Sequence, residues 1–279
     1  MENSLELSVV EVQLDAVKKA QQRTRYSFVV ATVASVALIV ATYNAHISWY
    51  RGFAVGDKLV ENTKDLSTLY TVQKSLLEGW VDSQMIAVPL LGVKVGIGDA
   101  ALLGSFSLFI IAIWLYYTWR RENYAVAYLL RQTQEMSVQV RRLVYHGISS
   151  SLVFTSISKS DQPISDINED IVESKPTFFI DPAFKVLMYL PAIAIALTMF
   201  LDVLSVFVLP APFRVDHKPV WEDLGDFDKG KFFVMEVFSL AFFAMTWRLC
   251  GLIHNFEGAT AGILKKYSAE LAAGSDALG

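Results

Sequence analysis

The amino-acid sequence predicts an all-α integral membrane protein with four transmembrane helices, a small extracytoplasmic segment and cytoplasmic helical extensions. Three observations predict it. Four apolar runs, at 27–45, 101–119, 184–209 and 232–253, stand out from a chain of 279 residues that is 53% hydrophobic. Each is close to or above the about 20 residues that carry a helix across about 30 Å of hydrocarbon. Aromatic and basic residues cluster at the ends of the first two runs, as they do where helices are anchored at the membrane–water boundary. Finally, 14 of the 24 Lys and Arg fall on the side of the two termini and 9 on the other, with Lys185 at a boundary. By the positive-inside rule this bias places both termini in the cytoplasm.

Composition narrows the function classes. The four runs leave about 190 of the 279 residues for loops and tails, too few for a large separate enzyme domain. A net charge of −4 without a long basic tract argues against nucleic acid as a partner. The single cysteine, Cys250, lies inside the last run, so no disulfide forms within the chain and no cofactor is held by several of its thiolates. Residues 1–26 carry Glu2, Glu6, Glu11 and Asp15 ahead of the first run. They do not resemble a secretory signal, and the first span is expected to stay in the mature protein.

Taken in order, residues 1–26 place Leu5, Leu7, Val9, Val10, Val12, Leu14 and Val17 before Lys18, Lys19, Arg23 and Arg25. This mixed periodicity fits a partly amphipathic cytoplasmic helix, either a docking or membrane-surface element or a solvated extension of the first span. The span at 27–45 is rich in Ala, Ser and Thr, which let helix backbones approach closely in lipid. Trp49, Tyr50 and Arg51 follow it as an interfacial anchor.

The extracytoplasmic segment, 46–100, carries Leu59, Leu66, Leu69, Tyr70, Leu76 and Leu77 at near-helical spacing, which predicts a helix. Residues 85–97 are apolar but too short to span, and Pro89, Gly92 and Gly96 disfavour a helix there. They read as a short hairpin or bulged strand pair at the membrane surface, with Pro89 at an edge position. A re-entrant loop is the alternative, and it requires a protein-lined cavity.

The span at 101–119 ends in Trp114, Tyr116, Tyr117 and Trp119, followed by Arg120 and Arg121, a cytoplasmic boundary. In the cytoplasmic segment 120–183 no Gly or Pro interrupts the chain before His146, so one helix is expected to run to Tyr145 or His146, with Gly147 as its stop. It would serve as a docking surface or a solvated stalk. From 147 to 180, serines and clustered acids predict a flexible connector, with Leu152, Val153 and Phe154 as one short strand.

The span at 184–209 contains Pro191, which costs a backbone hydrogen bond and kinks a helix. The extracytoplasmic loop 210–231 is polar and of mixed charge. The fourth span, 232–253, leads into a cytoplasmic tail at 254–279 containing Lys265 and Lys266.

The residues that carry chemistry are few. Asp202 and Glu236 are the acids within predicted spans, and at 1.5 Å rise per residue both lie roughly 7–11 Å below the outer surface. Ionisable groups in lipid face a partner or a water-filled cavity. The pair is therefore a candidate ion or proton site, with interfacial carboxylates reaching water, Lys231 or Arg214 as the alternative. Arg248, beside Trp247, reads as a snorkelling side chain, and with Arg214 it is a candidate for an interface or an ion pair. The four histidines show no i, i+3 or i, i+4 spacing, and no metal, catalytic or cofactor motif is found.

The expected function is a non-enzymatic polytopic membrane subunit of the bacterial inner membrane, with a structural, assembly or signalling role through protein–protein contacts. Its partners are membrane lipid and other membrane proteins or further copies of itself. The alternative is a small ion channel or carrier using Asp202 and Glu236.

Overall fold

The computed structural model describes residues 2–62, 85–88, 93–149, 180–208, 219–222 and 224–276, together with Thr71, Lys74 and Glu78. Among them are five α-helices: α1 Glu2–Asn62, α2 Ile97–Gln132, α3 Val138–Ser149, α4 Ile180–Phe207 and α5 Asp226–Asp276. A short 3-10 turn covers Val220–Glu222. Stretches of four of these helices, over Ser8–Asn44, Ala101–Gln132, Pro182–Phe207 and Asp226–Leu271, are long and apolar enough to cross a membrane. The chain is an integral membrane protein with four candidate spanning helices.

Two strands, β1 Met85–Val88 and β2 Val93–Gly96, pair antiparallel with Met85 opposite Gly96 and Val88 opposite Val93. This is the hairpin expected at 85–97; Pro89 itself lies outside the described residues, as do most of 63–84 and all of 150–179. The expected connector with its short strand at 152–154, and most of the polar loop that contains Arg214, fall there too.

The chain divides into two compact units, one of residues 1–32, 111–190 and 247–279, the other of 33–110 and 191–246. In the first, α1, α2, α3 and α5 close on an apolar core. Val10, Leu14 and Val17 meet Val126, Leu129 and Leu130, with Val144 and Ile148 of α3 and Leu264, Tyr267 and Leu271 of α5. The i, i+3, i+4 and i+7 spacings put each set on one helix face. Fully burying a side chain of this size is worth about 1.5–3 kcal/mol, so this core holds the helices beyond the apolar runs as a bundle. A second cluster joins Phe28, Ala31, Leu115, Trp119, Met188 and Ile253 from α1, α2, α4 and α5.

Two expectations about the segment after the second span are corrected. The helix ends at Gln132 and a new one starts at Val138, although no Gly or Pro intervenes. The break is built by hydroxyls. Thr133 turns its Oγ1 back onto the carbonyls of Leu129 and Leu130 and shares a 3.0 Å hydrogen bond with the Tyr267 hydroxyl. Met136 N–H then donates to the Thr133 carbonyl, and the Ser137 carbonyl accepts the first helical bond of α3, from Arg141. Ser and Thr compete with the helical ladder in this way, and Ser favours the cap position. Gly147 does not stop α3, which runs to Ser149. Instead it is a point of close approach: a Cβ there would lie 3.0 Å from Leu14 Cδ2.

In the second unit a Cβ on Gly104 would lie 2.6 Å from Leu38 Cδ1, so α1 and α2 touch closely through the missing side chain. Phe242 packs against Phe106 and Phe109 at centroid distances of 5.4 and 5.5 Å. Helix α4 continues through Pro191, and Ala192, Ala194 and Ile195 after it are fully buried.

Candidate functional site

In the second unit, α4 and α5 bring the two acids expected at equal depth, Asp202 and Glu236, close enough for their carboxyls to interact. Both side chains are half-buried. Two ionised carboxylates offer no donor to one another, so neighbouring acids in an apolar helix are an uncommon arrangement. Ser205 of the same turn donates to the Asp202 carbonyl at 2.7 Å, and Ser239, one turn from Glu236, is buried.

Toward the loop side the pair meets a ring cluster. Phe207, five residues beyond Asp202, lies 4.7 Å from Trp221 and 5.9 Å from Phe232, which precedes Glu236 by four residues. Lys229 sits 5.3 Å above the Trp221 ring. An aromatic pair with a basic neighbour at a helix end is interfacial chemistry, and it places apolar rings about one helical turn from the carboxyls. Trp221 was missed in the sequence because nothing in the polar loop marks which of its residues folds back onto α4.

Arg248 is exposed beside Trp247, whose ring packs 4.9 Å from Tyr189. Arg214 and His217 lie outside the described residues, and nothing is described of the His46 side chain. Among the described residues no group of three or more His, Cys, Asp and Glu could hold a metal ion.

The first unit holds a polar layer that the sequence did not reveal. Ser27 and Thr118 share a hydrogen bond of 2.8 Å between α1 and α2, and Asn123 donates to Thr260 of α5 at 2.8 Å. Glu122 is only 6% exposed, within reach of the Thr24 hydroxyl and beside Arg25. His254 Nδ1 lies 3.6 Å from a carboxyl oxygen of the buried Glu257. Arg141 of α3 meets Glu270 at 3.4 Å and stacks 5.1 Å from the Tyr267 ring. Helical positions 21, 24 and 27 of α1 share a face with spacing 3, which is the only sequence signal of this layer.

No protein-family model, curated protein or solved structure matches this chain. Function therefore rests on the chain's own chemistry. The acid pair sets two carboxyls side by side within apolar helices, while the polar layer joins helices through the Ser27–Thr118 and Asn123–Thr260 hydrogen bonds and the Arg141–Glu270 ion pair.

Proposed function

We propose that the chain is a non-enzymatic, multi-pass subunit of a bacterial inner-membrane assembly, acting through protein–protein contacts with both termini in the cytoplasm. One observation carries this reading. Helices α1, α2 and α5 continue without a break beyond their apolar runs and join α3 around a filled apolar core, while apolar and aromatic side chains face outward. Val12 is 71% exposed, Leu143 57% and Tyr128 64%. Exposed apolar groups on the water side of a helical bundle are the anchors that partner helices use. The Lys and Arg excess near 1–26 and 120–142 supports the orientation.

The test is purification of the full chain from membranes in mild detergent, followed by the mass of the intact assembly. A fixed mass above one chain, from further copies or a stoichiometric partner protein, is the expected result. A monomer of 31.1 kDa plus detergent and lipid would overturn the subunit reading.

A second reading, a small cation or proton carrier, is favoured by the Asp202–Glu236 contact. Paired acids within a span are costly in lipid and are kept where they face a partner, a cavity or an ion. A subunit and a carrier are compatible, and the acid pair would then be the working part of the assembly.

A further inference from the structure

The first unit contains a groove of about 530 Å³ lined by Gln22, Arg23 and Tyr26 of α1 and Trp114 and Thr118 of α2. The spacings make each wall a single helix face: Tyr26 follows Arg23 by three residues and Gln22 by four, and Thr118 follows Trp114 by four. The walls are tied together. Ser27 and Thr118 hydrogen-bond at 2.8 Å, and the Tyr26 and Trp114 rings meet edge to face with centroids 5.9 Å apart. The volume is in the range of about 300–1,000 Å³ typical of small-molecule sites.

Its two ends differ in chemistry. Arg23 and Gln22 stand a turn before the first apolar run, while Tyr26 immediately precedes that run and Trp114 lies within the last third of the second. Tyr and Trp rings in that position lie at headgroup level, with apolar bodies toward the acyl chains. Arg23 is exposed, and its guanidinium is free to turn its planar fork onto a phosphate. Arg25, Arg120 and Arg121 add further positive charge at this boundary.

We propose that this groove binds one anionic glycerophospholipid from the leaflet on the N-terminal side. The phosphate pairs with Arg23, Gln22 and Thr118 offer polar groups to the glycerol region, and an acyl chain lies along Tyr26 and Trp114. A choline headgroup would carry its own cation into a region already rich in positive charge, so a zwitterionic lipid is disfavoured.

Native mass spectrometry of the full-length protein in detergent, titrated with phosphatidylglycerol or phosphatidylcholine, reads the binding directly. The expected result is one retained phosphatidylglycerol per chain, with about tenfold preference over phosphatidylcholine. Arg23→Gln is expected to lower phosphatidylglycerol retention to the phosphatidylcholine level. Lys18→Gln, an exposed charge on the same helix outside the groove, should leave it unchanged. Equal retention of the two lipids by the wild type, or equal losses in Arg23→Gln and Lys18→Gln, would overturn the proposal. Brominated phosphatidylglycerol gives an independent readout: it should quench a fluorescence component that Trp114→Phe lacks, and identical quenching of the two proteins would equally reject the groove.

Discussion

Arg25→Met will destabilise the first unit by about 1 kcal/mol, because it removes positive charge near the buried carboxyl of Glu122. Glu122 is 6% exposed, and burial acts on its carboxyl more strongly than the neighbouring Thr24 hydroxyl and the charge of Arg25. Replacing both members, as Arg25→Met with Glu122→Gln, should recover most of the loss, because a neutral amide needs no nearby cation. Thermal unfolding in detergent followed by far-ultraviolet circular dichroism gives both numbers. A single variant as stable as wild type, or a double variant no better than the single, would mean that Arg25 and Glu122 do not act as a pair.

The second large effect has the opposite sign. Asp202→Leu with Glu236→Leu will raise stability by about 1–4 kcal/mol, the range seen when buried charged groups give way to apolar residues of similar volume. The two side chains lie close to each other between α4 and α5, and each is an acid within an apolar helix, where carboxyls are costly. A gain in melting temperature would show that the acids are retained against stability, as working groups are. A loss would show that their interaction holds α4 to α5. The same variant in sealed vesicles decides the carrier reading: a proton or cation flux present in wild type and absent from the variant supports it, whereas equal flux removes it.

The spanning helices were legible because lipid imposes a simple requirement, an apolar run of fixed length with interfacial anchors. The common depth of Asp202 and Glu236 followed from helical rise alone, but their contact did not, because it depends on α4 and α5 packing side by side with the acids turned inward. The break at Thr133 was hidden for a related reason. Glycine and proline stop helices by local sterics visible in the sequence, whereas Thr133 does so through a tertiary hydrogen bond to Tyr267, which lies 134 residues away. Gly147 carried a local signal with two physical meanings, a helix stop or a close contact, and the contact with Leu14 decided between them. Glu122 and Asn123 follow two arginines at the expected cytoplasmic boundary, and Asn123 is buried where α5 continues past His254 and presents Thr260 to it. In the tail at 254–279, Leu264, Tyr267 and Leu271 complete the bundle core at spacings of 3 and 4, but among charged and small residues, with Phe256 and Ile263 nearby, this short pattern does not show which residues are core.

The central claim is that the bundle formed by the extended helices binds a protein partner through its outward apolar faces, and Val12→Asp combined with Leu143→Asp tests it most directly. Both side chains are more than half exposed, so the variant should keep the helix content of wild type. Measured as intact assemblies from mild detergent, wild type is expected at the mass of the complex and the variant at the mass of a single folded chain. A variant that retains the full complex would contradict the claim.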